Sequence, residues 1–140
     1  MKRHLLSLGI VAIMAILSFT SCSKSSTNPT PQSLIVGTWN MNTATIMGYP
    51  ITPASLGFTL ISAHFNADST GTIRVDSGHT TNSTPMTWSI TTQNSVNTLH
   101  VNTQSPLIPP QATIDTLTSK DLKITGNFSG YSAIIDFTKQ

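Results

Sequence analysis

The sequence predicts an all-β domain of about eight antiparallel strands, closed into an up-and-down barrel. From residue 33 onward, apolar and polar residues alternate with the period of two that half-buried strands show. Short segments rich in Gly, Asn, Ser and Pro separate these runs at the spacing of hairpins. No segment after the N-terminal region has the period of an amphipathic helix. Consecutive short turns favour a meander, and closing it removes unpaired strand edges; a β-sandwich is the alternative.

Eight segments are predicted as strands, and the connections between them as turns or loops. Residues 47–53 and 76–85 are predicted loops, because each contains Gly and Pro. The apolar positions of the sixth strand indicate a bulge, and the adjacent Ile134 and Ile135 indicate a last strand covered on both faces. The predicted strands are residues 34–46, 58–65, 72–75, 86–90, 96–102, 112–117, 122–128 and 131–137.

The bulky apolar side chains on one face of these strands form the predicted barrel interior. They are numerous enough to fill most of an eight-stranded barrel, which has room for side chains or one small ligand. Trp39 and Trp88 are predicted as core residues rather than as platforms for a ligand. The predicted inward residues are Trp39, Met41, Ile61, Phe65, Ile73, Val75, Trp88, Ile90, Leu99, Val101, Leu122, Ile124 and Phe128.

The N-terminal segment has the order of a secretory signal peptide. Lys2 and Arg3 precede an apolar run at residues 5–19, and a small residue stands directly before Cys22, the only cysteine. With a cysteine at that point, the segment resembles the signal of bacterial lipoproteins, in which the leader is cut off before the cysteine and the cysteine is acylated. Phe19 stands where that signal usually has Leu, a relaxed form familiar in Bacteroidota-type lipoproteins.

Two other interpretations of this segment stay open. The chain is then either an ordinary secreted protein with a free thiol or a protein held by an uncleaved helix. The apolar run is shorter than the about 20 residues that a membrane span needs. A single cysteine at the cleavage point of an exported chain, with no partner for a disulfide, favours the lipoprotein interpretation.

The lipoprotein resemblance implies three segments and a location. The segments are a signal peptide at residues 1–21, a flexible tether at 22–32 and a barrel domain at 33–140. The tether is polar and Pro-containing, without apolar spacing, which is typical of disorder. The protein would sit in the cell envelope, held by a lipid such as palmitate on Cys22. Because Ser23 is not Asp, the familiar inner-membrane retention signal is absent and the outer membrane is expected; the side of that membrane stays open.

Charge and cysteine content exclude several classes of protein. The formal charge of the whole chain is +2, and Lys2 and Arg3 account for it, so the side chains after Cys22 balance. There is no basic patch with interleaved aromatic residues, which argues against nucleic-acid binding. One cysteine allows no disulfide within the chain, so stability must come from the packed core. The length fits one domain, and we expect a monomer.

Residues 66–71 resemble the first half of a calcium-binding loop. Asn66, Asp68 and Thr70 alternate there and Gly71 follows. The twelfth position of an EF-hand loop requires a bidentate Glu, and here it is Ser77. The segment is therefore predicted as a hairpin turn and not as a metal site.

No group of residues has the spacing of a catalytic or metal site. His64, His79 and His100 match no zinc motif. The chain has no Gly-x-Ser-x-Gly sequence and no Glu, and its five Asp are scattered. The sequence therefore predicts no catalytic residue, no metal and no cofactor, in a protein that is not an enzyme.

Gly37, Thr38 and Trp39 on the first strand resemble the Gly-x-Trp signature of lipocalins. The layout of residues 34–137, with an FNADSTG hairpin and a second Trp, is similar to the short lipocalin-like domains of Bacteroidota lipoproteins. The resemblance implies that Gly37 and Trp39 plug one end of the barrel. Lipocalins usually pack an Arg from near the last strand over that Trp, and here the C-terminus offers only Lys139. The domain is also shorter than a typical lipocalin, so no wide ligand cup is expected.

Two functions are compatible with these observations. The first is a structural or interaction role for a non-catalytic, lipid-anchored envelope protein whose barrel is largely filled. The second is binding or carriage of a small apolar ligand inside the barrel. An envelope protein would be the partner in the first case, and the membrane is a partner in both through the lipid on Cys22.

Overall fold

The computed structural model describes residues 28–140, and all structural statements below refer to this part of the chain. It contains nine strands, one α-helix and one 3₁₀ helix at Ala54–Leu56. No helix in it is long and apolar enough to cross a membrane. In chain order the elements are α1 (Pro31–Ile35), β1 (Gly37–Ile46), β2 (Tyr49–Ile51), β3 (Leu60–Phe65), β4 (Thr70–Asp76), β5 (Thr81–Gln93), β6 (Val96–Thr103), β7 (Gln111–Leu117), β8 (Asp121–Phe128) and β9 (Tyr131–Lys139).

Eight of the strands form a closed antiparallel barrel, as predicted, and the sandwich alternative is set aside. Strands β3 to β9 pair in sequence order, β3 pairs with the start of β1, and β9 returns to pair with β1 over seven residues. The extra strand β2 pairs with the last three residues of β1. A bulge in β7 between Ile114 and Thr116 confirms the predicted irregularity of the sixth strand.

The chain enters the barrel through a helix that the sequence analysis did not predict. Thr30 caps α1, its side-chain oxygen accepting a hydrogen bond from the Ser33 amide at 3.3 Å, and Pro31 stands at the first helical position. The apolar Leu34 and Ile35 therefore end a helix instead of beginning β1. The boundary expected at residue 33 falls inside this helix.

Two predicted loops contain strand structure. Residues 49–51 pair with β1, and residues 81–85 extend β5 so that it pairs along the whole of β4. Pro85 is tolerated there because it lies one residue beyond Met86, where the pairing of β5 with β6 ends. Its carbonyl faces β6 and accepts a hydrogen bond from the Thr103 hydroxyl at 3.1 Å. A proline nitrogen pointing to that side interrupts no ladder bond.

The inner face of the barrel is the hydrophobic core, and most of the predicted inward residues are buried in it. Met41, Val75 and Phe128 are only partly buried. Ile134 is exposed, so the prediction of a last strand covered on both faces is wrong; β9 closes the barrel with its outer face in water. Core residues that the prediction did not include are Ile35, Ala44, Ala63, Met86, Ile108, Ala112, Ile114, Ala133, Ile135 and Phe137.

Residues 31–139 thus carry their own core. Each barrel strand pairs with two neighbours, and every buried apolar side chain in the described chain comes from residues 35–137. A protein that begins at residue 28 therefore contains every element of this fold.

Candidate functional site

The two ends of the barrel differ in construction, and they are named here by what lies across them. The closed end carries α1 and the turns at residues 66–69, 94–95 and 118–120. The mouth carries the connections at residues 47–59, 77–80, 104–110 and 129–130. The predicted plug residues lie at the closed end, and an apolar cavity lies at the mouth.

Trp39 fills the closed end. Its side chain is fully buried, and its indole Nε1 donates a hydrogen bond of 2.6 Å to the carbonyl of Ile35. That carbonyl belongs to the last residue of α1, where helical carbonyls lack partners within the helix. Trp39 therefore satisfies the end of α1 while α1 covers the barrel interior beneath it.

Lys139 occupies the position over Trp39 at which lipocalins usually place an Arg. Its ammonium lies 5.1 Å from the centre of the indole ring, within the range of a cation–π contact. The same Nζ donates a hydrogen bond of 3.0 Å to the carbonyl of Leu34. Lys139 at the end of β9 thereby contacts both Trp39 near the start of β1 and Leu34 near the end of α1.

Gly37 makes room for that lysine. A Cβ built on Gly37 would lie 2.6 Å from Cε of Lys139, which is closer than packed atoms approach. Gly37 also has φ +131°, a conformation that side chains with a Cβ rarely adopt. The Gly-x-Trp signature thus has a physical reason here, one that the sequence pattern alone does not give.

Trp88 supports the β3–β4 hairpin beside the plug. Its Nε1 donates to the carbonyl of Thr70 at 2.9 Å, and its ring meets Phe65 edge to face with centroids 5.5 Å apart. The hairpin turn is built by Asp68, whose Oδ1 accepts from the hydroxyl of Thr70 at 2.6 Å and from its amide at 3.0 Å. These two hydrogen bonds lower the pKa of Asp68, and the bond from the hydroxyl has the larger effect. In residues 66–71, which resemble a calcium-binding loop, the Asp68 carboxylate therefore stabilises the hairpin turn.

The three histidines after Cys22 lie apart. His64 Nδ1 is 2.8 Å from the hydroxyl of Thr38, and His100 Nε2 is 3.0 Å from the hydroxyl of Thr91. His79 lies in the exposed connection between β4 and β5. Within residues 28–140, no three side chains of His, Cys, Asp or Glu come together in a group that could hold a metal ion.

The mouth opens into an apolar cavity of about 150 Å³. Strands β1, β3, β8 and β9 form its walls, and two connections of the mouth, residues 47–59 and 104–110, contribute the remaining lining residues. Every lining residue is apolar: Met41, Ala44, Ile46, Ile51, Leu56, Ile61, Leu107, Phe128, Ala133 and Ile135.

Small side chains explain why the interior is filled at one end and empty at the other. Trp39 and Phe65 occupy the closed half and are fully buried. At the mouth, the corresponding inward positions on β1 and β9 carry Ala44 and Ala133. The sequence analysis placed three of the ten lining residues inside: Met41, Ile61 and Phe128. Ile51 lies in a segment that was predicted as a loop because of its Gly and Pro, and its apolar character was the available signal.

The sequence of this barrel also matches a known family. A family described as lipocalin-like domain matches residues 35–124, from the end of α1 through the middle of β8. The chain belongs to the lipocalin-like domain family. In this lipocalin-like domain, Trp39 is buried at the closed end and the ammonium of Lys139 lies over its ring. No curated protein and no solved structure matches the chain.

The predicted lipidation site and leader lie outside the described residues. Cys22, the signal peptide at residues 1–21 and most of the proposed tether precede Asn28. Within the described chain, the tether's last two residues belong to α1, and the side-chain Nε2 of Gln32 donates to the carbonyl of Ile90 at 3.3 Å.

Proposed function

We propose that this lipocalin-like domain binds small apolar ligands, or the apolar part of amphiphilic ones, in the cavity at its mouth. The observation that carries the proposal is a cavity whose ten lining residues are all apolar, beneath loops at an open barrel end. Barrel mouths are a common place for such sites. The plugged end then serves as the rigid base of the site.

The cavity limits the ligand by size and by polarity. A dry apolar cavity of about 150 Å³ holds a group about as large as benzene. No side chain inside offers a hydrogen bond, so burying a polar group there would leave it unpaired, which is costly. The buried part of the ligand is therefore a hydrocarbon, such as the end of an acyl chain or an aromatic ring, and any polar head stays at the mouth.

Titration with octanoate and with toluene tests this function. Isothermal titration calorimetry of residues 28–140 should show saturable binding with a negative heat-capacity change, the mark of buried apolar surface. Ala44→Leu fills the cavity and should abolish binding, whereas Ala44→Ser keeps the space and should weaken it only moderately. Equal binding to the Ala44→Leu protein would place the ligand elsewhere and refute the proposal.

A structural or interaction role is the second candidate function. It is favoured by the closed half of the barrel, where Trp39, Phe65, Leu99 and Leu122 are fully buried. If neither probe binds, and envelope proteins are crosslinked to the wild type and to the Ala44→Leu variant alike, this role replaces ligand binding. The two results separate the candidates because only ligand binding needs the empty half.

We also propose that the protein is a lipid-anchored lipoprotein of the cell envelope, acylated on Cys22 and placed in the outer membrane. The proposal is supported by the leader, the single cysteine and the absence of Asp at position 23. Metabolic labelling with an alkyne-tagged palmitate should mark the full-length wild type and leave Cys22→Ala unmarked. Equal labelling of both proteins would exclude Cys22 as the site.

The proposed function requires no catalysis, metal or cofactor. This is supported by three histidines that lie on different elements and by five aspartates of which Asp68 and Asp76 hold turns. Elemental analysis of the purified chain should find no stoichiometric metal. Zinc at one per chain would overturn this expectation and direct attention to the histidines.

A further inference from the structure

The exposed apolar side chains of the described chain are concentrated around the mouth. Met47 and Tyr49 stand at the β1–β2 turn, Leu56 in the 3₁₀ helix, and Tyr131 and Ile134 at the start of β9. Of the large hydrophobic residues exposed within residues 28–140, only Val96 lies at the closed end. The exposed fractions at the mouth are 67% for Met47, 74% for Tyr49, 44% for Leu56, 52% for Tyr131 and 38% for Ile134.

These side chains surround the entrance of the cavity. Tyr49 pairs across the ladder with Ile46, and Tyr131 with Phe128; both partners line the cavity. Leu56 is itself both a lining residue and an exposed one. A surface that touched the rim formed by Met47, Tyr49, Leu56 and Tyr131 would therefore cover the entrance as well.

The rim is free of charge. The chain has no Asp, Glu, Lys or Arg from residue 40 to 67, from 77 to 114 or from 124 to 135, and these stretches contain all four connections of the mouth. Arg74 and Asp76 at the end of β4 neutralise each other at 3.2 Å. The turns of the closed end, by contrast, contain Asp68 and Lys120.

We propose that the rim of Met47, Tyr49, Leu56 and Tyr131 is a membrane-contacting surface that lays the cavity entrance against a lipid bilayer. Tyr residues with apolar neighbours and no charges match the boundary between lipid headgroups and acyl chains. The sequence itself predicts a bilayer within reach, because the anchor expected at Cys22 would hold the barrel beside one. This inference rests on the proposed function: an apolar ligand passes between bilayer and cavity without crossing water.

Co-flotation with phosphatidylcholine vesicles tests the surface. The protein is residues 28–140, which lack Cys22 and so isolate the rim from any lipid anchor. The wild type should bind, with equal strength in 50 mM and 500 mM NaCl, because no charged group takes part. The Tyr49→Ser, Tyr131→Ser double variant should lose on the order of tenfold in partition coefficient, since two apolar side chains no longer insert. The matched control, Val96→Ser at the closed end, should bind like the wild type.

Tryptophan reporters test the orientation. The emission of a Tyr131→Trp protein should move to shorter wavelengths when vesicles are added, and that of a Val96→Trp protein should not. Trp39 and Trp88 are buried at the closed end and contribute the same background to both. All variants change exposed side chains, and unchanged melting curves would verify that they fold.

Three results would overturn the proposal. The first is a wild type that does not float with vesicles, including one that instead forms dimers through the rim. The second is a double variant that floats as well as the wild type, and the third is binding that disappears at 500 mM NaCl. Failure here is distinct from failure of ligand binding: Ala44→Leu should lose octanoate and keep vesicle binding, whereas the double Tyr variant should keep octanoate in solution.

Discussion

At the closed end of the barrel, two side chains reach the same short helix: Trp39 donates to the carbonyl of Ile35, and Lys139 to that of Leu34. At the mouth, no side-chain hydrogen bond within residues 28–140 crosses the interior in this way, and the small side chains of Ala44 and Ala133 border a cavity of about 150 Å³. One end is therefore joined by directional bonds and dense packing, and the other is lined only by apolar side chains. We therefore expect the closed end to contribute most to stability, and the mouth to be the end with space for a ligand.

This division follows from how an eight-stranded barrel is filled. Its interior is just wide enough for side chains, so large residues at one level exclude any ligand there. A bulge between Met41 and Thr43 shifts the alternation of β1 by one residue, so that Ala44 faces inward as Trp39 does, and the inward residue is small near the mouth. The substitutions below test whether the two ends respond as differently as their construction implies.

The largest difference between the ends is expected for aromatic truncation. Trp39→Ala removes a fully buried side chain and its bond to α1, and should lower the free energy of unfolding by about 3–5 kcal/mol. Domains of this size have about 5–15 kcal/mol in total, so the effect is severe. Phe128→Ala at the mouth should cost clearly less, because Phe128 is only partly buried and already borders empty space. Urea denaturation of the two proteins gives the comparison, and equal losses would show that the ends are energetically alike.

The next difference concerns one substitution made at two alanines. Ala63 lies opposite Trp39 in the ladder and is buried in the filled half, so Ala63→Leu should overpack the core and destabilise by about 1–3 kcal/mol. Ala44→Leu places the same added atoms in the cavity and should leave the melting temperature unchanged or raised. Differential scanning calorimetry would check both proteins. A Leu at position 44 that is as disruptive as one at 63 would mean that the cavity does not accept a side chain.

A smaller effect is expected at Lys139. Lys139→Met keeps the apolar stem but loses the hydrogen bond to Leu34 and the cation–π contact with Trp39, and should cost about 1–2 kcal/mol. Lys139→Arg should restore most of this, since a guanidinium provides both interactions. Lys123→Met is the matched control: it removes an exposed ion pair with Asp136, and such pairs contribute about 0–1 kcal/mol. If Lys139→Met were no worse than Lys123→Met in urea denaturation, Lys139 would not secure the closed end.

The sequence was sufficient to predict the barrel because period-two alternation and turn residues are local signals. They gave eight strands, the bulge of β7 and most inward residues. What was missed depends on contacts distant in the chain. The apolar Leu34 and Ile35 are compatible with a strand, and they lie in a helix whose last carbonyls accept hydrogen bonds from Lys139 and Trp39. Pro85 is typical of a loop, but it fits in β5 because β6 ends before the position that would pair with it.

The cavity was the feature least accessible to sequence analysis. Its lining includes Ile51, Leu56 and Leu107 from connections, whose positions relative to the strands no periodicity encodes. A count of bulky inward residues predicted a largely filled barrel; in the closed half, the counted residues Trp39 and Phe65 are fully buried. The cavity at the mouth depends on the position of small residues such as Ala44 and Ala133 along the barrel axis, and composition alone does not reveal that position.

The smallest effect is expected in two turns, where the ends are built alike. Asp68 at the closed end accepts from the hydroxyl and amide of Thr70, and Asp76 at the mouth accepts from the amide of Gly78 at 2.8 Å. These bonds lower both pKa values below the usual 3.8. Carboxylates with depressed pKa values stabilise the fold above their unfolded pKa, and this contribution disappears as the pH falls through the folded one.

The Asp68→Asn and Asp76→Asn proteins should therefore melt slightly below the wild type at pH 7, and the gap should narrow at pH 2.5. Because Asn keeps a neutral acceptor, each comparison isolates the charge. Asp68 is exposed and Asp76 is partly exposed, so water and salt weaken the effect, and the gap at pH 7 should also shrink in 500 mM NaCl. A gap in melting temperature that widens on acidification would show that the ionised carboxylates do not stabilise the fold. A gap at only one of the two turns would show that even here the closed end and the mouth are held differently.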